Sequence, residues 1–359
     1  MAEQQTPVSL AVAGPSVRSD RVVFAQIEPT TRCNFTCGFC CGRQMDQSDF
    51  DAADFERLLD TFPDLEHIEL QGEGEPLLHK GFFDMARLAR ARGIRLSMIT
   101  NGSLFSEERV AAILEVGMEA INVSIESPDE AAFKKIRGGS LRKVKAGIAR
   151  FLAARRGRGL ELPKVGFSIT VLKHTIDSLP EVAELYRELG MDGGATVQPL
   201  NRMESYKSVY GPEIFEQLLG PEDRQRLMQL LRGDPKMRSL LADARQSHHF
   251  YPELSRRFEP LHGCPWVKGG VYVDRHGGMT TCCMVKDSNV HGIGKLGLTP
   301  QEVVLAKRRD VDAALTAGLP PAQCEGCAYY RTPQQQEVLK RRILERRRLA
   351  ASAAAAKPE

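Results

Sequence analysis

Three thiols stand close together near the start of the chain: Cys33, Cys37 and Cys40, spaced C-x3-C-x2-C. A closed [4Fe–4S] cluster or a structural zinc site takes four protein ligands. Three thiolates leave one iron open, and an open iron can bind and reduce a further molecule. A zinc site completed by Cys41 is the plain alternative, but the adjacent Cys40 and Cys41 do not easily converge on one tetrahedral ion. A second group of thiols comes late: Cys264, Cys282, Cys283, Cys324 and Cys327, laid out as Cys264-x12-Gly277-x4-Cys282 and then, after a gap, Cys324-x2-Cys327. By spacing alone this group suits zinc and an iron–sulfur cluster equally. No cysteine lies between 41 and 264. Two tight clusters favour metal binding in a reducing cytoplasm over a disulfide framework.

Both groups need elements to position them. Residues 22–200 alternate short apolar runs with helical patterns. Strands are expected at Val22–Glu28, Glu66–Gln71, Ile94–Thr100, Ala120–Glu126, Val165–Val171 and Ala195–Pro199. Helical stretches separate them, among them Ala53–Thr61, Phe82–Arg92, Glu107–Val116, Leu141–Ala154 and Ser178–Leu189. Six βα units predict a parallel sheet with helices outside it, either an open partial barrel or a doubly wound sheet. Either places ligands at the carboxyl ends of the strands. The first cysteines follow the first strand directly.

The rest of the chain divides by composition. Residues 1–21 read as a flexible N-terminus, 201–262 as a helical bridge, 263–332 as a small metal-stapled domain and 333–359 as a basic helix and tail. At 359 residues, 42% hydrophobic, the chain can bury a large core. Its formal net charge is only +3, so no global field draws it to nucleic acid or a membrane surface. No window approaches eighteen apolar residues, and Met1–Asp20 does not read as a secretion signal. A cytoplasmic protein with neither a membrane nor a nucleic-acid partner is expected. His248 and His249 point apart as neighbours and read as linker surface.

The triplet, with Phe39 just before its third cysteine, resembles the signature of radical S-adenosylmethionine (SAM) enzymes. Further segments resemble the same family in order, each at a strand end. Leu70-Gln-Gly-Glu-Gly-Glu-Pro-Leu-Leu-His79 follows the second strand, and there Gly74 and Glu75 would meet the amino group of the methionine moiety. Thr100-Asn101-Gly102 and Val123-Ser124-Ile125-Glu126 resemble the ribose and carboxylate contacts, and Gln198 is expected to face the same cavity. Phe133–Gly139 is also typical of the family. Each segment alone has a bland reading: a turn at Asn-Gly, a loop at Gly-Glu-Gly-Glu-Pro, a helix-start acid at Glu126. Their order gives them weight.

The resemblance implies a partial (β/α)6 barrel, a [4Fe–4S] cluster with an open iron, and reductive cleavage of SAM to a 5′-deoxyadenosyl radical that abstracts a substrate hydrogen atom. It implies an electron donor of the flavodoxin or ferredoxin type. Residues 263–332 resemble the auxiliary-cluster domain called SPASM in its long form and twitch in its short form, with a β-hairpin at Val271–Cys283. With no cysteine after Cys327, the short form and one auxiliary [4Fe–4S] cluster are implied, held by Cys264, Cys282, Cys324 and Cys327. Cys283 is then spare: a buried hydrophobe, the true ligand in place of Cys282, or a hydrogen donor to a substrate radical. The short form leans toward a small polar substrate, a sugar or aminocyclitol that is oxidised or epimerised. A peptide or protein maturase is the alternative. Its leader-binding domain would precede the barrel, where about twenty residues are expected before the first strand. A non-catalytic iron–sulfur electron carrier is the third reading.

Overall fold

The computed structural model describes residues 20–200, 213–246 and 264–325, with Cys327, Tyr330 and a few positions from 334 to 345. The expected N-terminal segment before Asp20, the His248–Pro252 stretch and most of the basic tail lie outside the described residues.

Six strands alternate with helices. They are β1 (Phe24–Ile27), β2 (His67–Leu70), β3 (Arg95–Thr100), β4 (Ala120–Ser124), β5 (Lys164–Val171) and β6 (Ala195–Pro199). The helices between them are α1 (Ala52–Thr61), α2 (Phe82–Ala91), α3 (Glu107–Val116), α4 (Glu130–Arg137), α5 (Leu141–Gly157) and α6 (Leu179–Glu188). The strands lie in the order β6-β5-β4-β3-β2-β1, all parallel. A doubly wound sheet reverses its strand order at a switch point. This sheet never does, which leaves the open partial barrel.

Local sequence sets the boundaries. Ser106, Asp129 and Ser140 cap α3, α4 and α5 by accepting from backbone N–H groups one turn on. Gly117 and Gly138 end α3 and α4 in the left-handed conformation, at φ 71° and 70°. Along each strand the residues alternate in character. Ile27, Ile68, Leu70, Leu96, Met98, Ile121 and Val123 join Leu58, Met85, Ile113 and Val144 from the helices in one core. Their strand neighbours Gln26, Glu69, Ser97 and Asn122 are polar, yet they too are buried. Both faces of the sheet are therefore shielded.

Beyond residue 200 come α7 (Glu213–Glu216), α8 (Pro221–Gly233) and α9 (Pro235–Gln246). α9 packs on α6, where the Tyr186 hydroxyl lies 3.2 Å from Asp243 Oδ2. Then follow α10 (Pro265–Gly269), β7 (Gly270–Val273), β8 (Gly278–Thr280), α11 (Ser288–His291), β9 (Gly294–Lys295) and α12 (Gln301–Thr316). The β7–β8 pair is the expected hairpin, and Asp274 closes its turn by accepting from the backbone of His276 and Gly278. Its attachment differs from a separate small domain. β7 pairs in parallel with β1, Phe24 opposite Gly270, so a single nine-stranded sheet runs from β6 to β9. Trp266 seals the joint with its ring 5.5 Å from that of Phe24.

Candidate functional site

The loop after β1 carries Cys33, Cys37 and Cys40 at the carboxyl end of the sheet. It docks on the C-terminus of α4. Thr36 and Gly38 donate their N–H groups to the otherwise unpaired carbonyls of Arg137 and Ile136, at 2.9 and 3.1 Å. The two glycines after Arg137 make this approach possible. A Cβ on Gly138 would stand 1.9 Å from Thr36 Oγ1, and one on Gly139 would stand 2.3 Å from the Phe35 ring.

The thiols have donors aimed at them. Cys33 Sγ lies 3.4 Å from the Phe35 N–H and 3.9 Å from Asn101 Nδ2. Cys37 Sγ lies 3.8 Å from Arg137 Nη1. N–H groups directed at sulfur suit thiolate ligands, because they share the negative charge. Without a metal, burial raises the pKa of all three, Cys37 to about 11. Iron would reverse that by binding the deprotonated form. Among the described residues no three His, Cys, Asp or Glu side chains converge tightly enough to grip one ion. A four-iron cluster takes one thiolate at each corner, so its ligands stand further apart than those of a single ion. Three thiols with donors aimed at two of them are the ligand chemistry that an iron–sulfur cluster takes.

The strand-end residues gather beside the triplet. Gly74 packs against the cysteine loop so closely that a Cβ would meet Thr30 O at 2.3 Å. Glu75 is buried, and it accepts from Thr100 Oγ1 and the Asn101 N–H at 2.7 Å and from the Leu77 N–H at 3.2 Å. Three of the roughly four lone-pair sites of that carboxylate are thus taken, leaving about one for a ligand. Asn101 in turn reaches Asn34 Oδ1 at 2.9 Å as well as Cys33. Glu126 is fully buried in a two-pronged ion pair with Arg137. Phe39 lies with its ring 5.8 Å from the same guanidinium. Ser124 sits opposite Ser168, and Gln198, on the exposed end of β6, opposite Thr170.

The late thiols gather around one small core. Cys264, Cys282 and Cys324 share a small core with Phe24, Trp266 and Leu315. After burial, Cys327 raises the pKa of Cys264, Cys264 and Cys327 that of Cys324, and Cys283, Cys264 and Cys327 that of Cys282. Cys283 packs against the same core. Its thiol is pushed up to about 12, first by burial, and the charges it feels are those of Lys286, Glu69 and Glu73.

Sequence reasoning missed the charged seam between the two parts of the sheet. Lys286, beyond β8, ion-pairs with Glu73, whose Oε2 lies 3.3 Å from Cys40 Sγ. Glu28, at the end of β1, accepts from the Glu73 N–H at 2.9 Å and pairs with Arg275 Nη1 at 3.2 Å. Arg275 also reaches Asp46 and Ser48 in the cysteine loop. Glu28, Glu73 and Arg275 lay within segments already singled out, as strand end, loop and hairpin, but nothing in the sequence paired them, and Lys286 lay outside those segments.

The fold is mixed α/β with a mostly parallel sheet, and three thiols follow its first strand. Residues 27–192, a little under half of the chain, match the family model described as Radical SAM superfamily. A tungsten-containing aldehyde ferredoxin oxidoreductase cofactor-modifying protein of Pyrococcus furiosus is 31% identical over 175 residues, 47% of this chain and 49% of that protein. A GTP 3′,8-cyclase of Geobacter sulfurreducens is 29% identical over 214 residues, 55% of this chain and 63% of the cyclase. The chain thus spans about half to two thirds of the length of these curated relatives. Among solved structures, anSMEcpe with bound AdoMet and a peptide superposes with TM-score 0.62 at 18% identity, covering 86% of this chain and 87% of that one. Streptococcus suis SuiB bound to S-adenosylmethionine gives TM-score 0.58 at 16% identity, covering 83% and 66%. These likenesses concern the fold. Among the described residues no helix is long and apolar enough to cross a membrane.

Proposed function

We propose that this chain is a radical SAM enzyme that takes a hydrogen atom from a small polar substrate. The observation that carries the reading is the set of contacts between the cysteine loop and the strand ends: Asn101 on Cys33, Arg137 on Cys37, Glu73 on Cys40. Cys33, Cys37 and Cys40 would hold a [4Fe–4S] cluster with one open iron. When bound, that cluster supplies one electron to S-adenosylmethionine, which yields methionine and the 5′-deoxyadenosyl group that takes the hydrogen atom. The electron would come from a ferredoxin- or flavodoxin-type donor.

The residues of the chain bind and orient. The remaining acceptor site on Glu75, beside the close-packed Gly74, suits the ammonium of the methionine moiety. Asn101 and Ser124 offer polar atoms at the ends of β3 and β4 for the ribose and carboxylate, with Gln198 across the same rim. Glu126 acts through Arg137, which it holds beside Cys37 and Phe39. Lys286 neutralises Glu73, so that no uncompensated carboxylate stands against the Cys40 thiolate. Cys264, Cys282, Cys324 and Cys327 would hold one auxiliary [4Fe–4S] cluster, and residues 263–332 are best read as a twitch-type segment joined to the barrel through β7.

Cys283 decides between oxidation and epimerisation. Its thiol feels the charges of Lys286, Glu69 and Glu73 and packs beside the other late thiols. In epimerisation the S–H bond breaks and its hydrogen atom forms a C–H bond on the opposite face of the substrate radical. The sulfur radical left behind needs one electron and one proton, supplied by the same reduced donor and solvent.

Peptide modification is the second reading, favoured by two fold neighbours, SuiB and anSMEcpe, whose structures hold a bound peptide. A non-catalytic electron carrier is the third. Anaerobic reconstitution with iron and sulfide, followed by dithionite and S-adenosylmethionine, tests all of these at the first step. 5′-Deoxyadenosine is expected. Its absence with the triplet cluster in place would reject the enzyme reading.

A further inference from the structure

One stretch of chain touches both groups of thiols. It begins at Thr280, the last residue of β8, and ends at Lys286. Thr280 is fully buried, and its hydroxyl bridges the carbonyls of Cys282 and Val285, at 3.1 and 2.7 Å. The Val285 N–H donates to Cys282 O at 3.0 Å, which closes the turn. Cys282 and Val285 are set in the small core of the late thiols. Lys286, the next residue, reaches from there toward the first group. Its ammonium lies 5.2 Å from the centroid of the Tyr272 ring and ion-pairs with Glu73 Oε1.

Glu73 stands between the two groups and has little room to move. One carboxylate oxygen takes Lys286, while the other, Oε2, lies 3.3 Å from Cys40 Sγ. The Glu73 N–H is held by Glu28 at 2.9 Å, and the Glu73 carbonyl lies 3.6 Å from the same sulfur. The turn after Cys40 packs so close that a Cβ on Gly42 would stand 2.5 Å from Glu73 Cβ. Glu28 is itself paired with Arg275. A cluster held at the triplet becomes more negative when it takes up an electron. A bare carboxylate against one of its sulfurs opposes that step, and an ammonium on the other carboxylate oxygen relieves the opposition. Water screens such a buried charge weakly, so its effect on the reduced fraction is about tenfold.

We propose that Lys286 is a positioning residue that couples the late thiol segment to the triplet. Closure of the Thr280–Val285 turn sets its ammonium on Glu73, and through Glu73 it eases reduction of a cluster at Cys33, Cys37 and Cys40. This deepens the proposed function and rests on the triplet cluster named there. The late segment then acts on the first cluster by the charge it delivers, with no electron needing to pass between them.

The test compares four reconstituted full-length proteins: wild type, Lys286→Met, Glu73→Gln and Thr280→Val. Electron paramagnetic resonance follows the reduced clusters through an anaerobic redox titration. Only an open iron takes a further ligand, so the signal that S-adenosylmethionine shifts belongs to the triplet. Lys286→Met should lower the ratio of reduced to oxidised triplet cluster about tenfold at a given potential, a fall in midpoint of about 59 mV for one electron. Glu73→Gln should raise that ratio by a similar factor. Thr280→Val keeps every charge and thiol but frees the turn, so its midpoint should fall toward that of Lys286→Met. A purely structural seam would change melting temperatures without moving the midpoints in opposite directions. Equal midpoints in wild type and Glu73→Gln would overturn the proposal even if Lys286→Met does not fold. A Thr280→Val midpoint equal to that of wild type would overturn the coupling to the late segment. Absence from the wild type of any signal that S-adenosylmethionine shifts faults the triplet cluster itself, and the proposal with it. Such a signal with unmoved midpoints faults only the role of Lys286.

Discussion

Lys286, carried beyond the β7–β8 hairpin, forms an ion pair with Glu73, in the loop that follows β2 and touches Cys40. The two side chains are about one-sixth exposed, so water screens them little. Burial alone would favour the neutral Glu73, but Lys286 outweighs it and holds the carboxyl below its ordinary value. Lys286→Met should therefore leave a buried charge uncompensated and destabilise the protein by about 3–5 kcal/mol. The double variant Lys286→Met with Glu73→Gln should recover much of that. Melting curves of the four proteins measure the coupling, and additive losses would show that the pair is not a unit.

Two glycines give a matched comparison. Gly117 and Gly138 share nearly the same positive φ, but a Cβ on Gly117 meets nothing within 4 Å, while one on Gly138 runs into Thr36. Gly117→Ala should cost about 1 kcal/mol in backbone strain and leave iron binding intact. Gly138→Ala should cost more and push the cysteine loop off α4. Iron bound per chain after reconstitution, compared between the two, separates strain from displacement.

Cys282 and Cys283 are adjacent in sequence but feel different charges. Cys282→Ala should lower iron content from about eight atoms per chain to about four, the share of one cluster. Cys283→Ala should keep the full content. If the Cys283 thiol donates hydrogen, Cys283→Ala should still cleave S-adenosylmethionine but stop net epimerisation. Unchanged net product with full iron would remove that role.

Two buried titratable groups give opposite pH dependences. Glu69 has a folded pKa of about 8 against 4.5, through burial. Between these values the unfolded chain has released a proton that the folded chain keeps. Its contribution is fully present below pH 4.5 and is lost as pH rises to 8. His67 is pushed down to about 3 from 6.5, again by burial and secondly by Arg95. Its contribution is present above pH 6.5 and is lost as pH falls toward 3. Between pH 6.5 and 8 only Glu69 of the two acts, on the order of a few kcal/mol. Glu69→Gln should flatten stability over that window, whereas His67→Gln should leave the slope there and flatten the acid side. Urea midpoints across the two windows check both.

Much of this fold is legible in the chain because its signals are local. Apolar alternation marks β1–β6, and residues such as Ser106, Asp129, Gly117 and Gly138 start and stop the helices. The cysteine spacing is local as well. The choice between a partial barrel and a doubly wound sheet was not legible, because both begin as the same run of βα units. Nor was the seam of Glu28, Glu73, Arg275 and Lys286. Its members are far apart in sequence, and no periodicity connects a lysine after one hairpin to a glutamate in a distant loop. The different charges that Cys282 and Cys283 feel come from distant loops, which adjacency cannot tell.

The parallel pairing of β1 with β7 also has a consequence in time. The Glu28–Arg275 bond joins residues 247 apart, and the strands that carry them are neighbours in the sheet. β1 leaves the ribosome first, yet one of its edges waits for nearly the last strand. At about 5–20 residues per second that wait is on the order of ten to fifty seconds. Through it an unpaired edge stays open to wrong partners. The loop that carries Cys33, Cys37 and Cys40 hangs from that strand, so the first cysteines are exposed to oxidation and to cluster delivery long before Lys286 arrives to quiet Glu73. Insertion of the first cluster before the barrel edge closes would make order of synthesis part of how this protein matures.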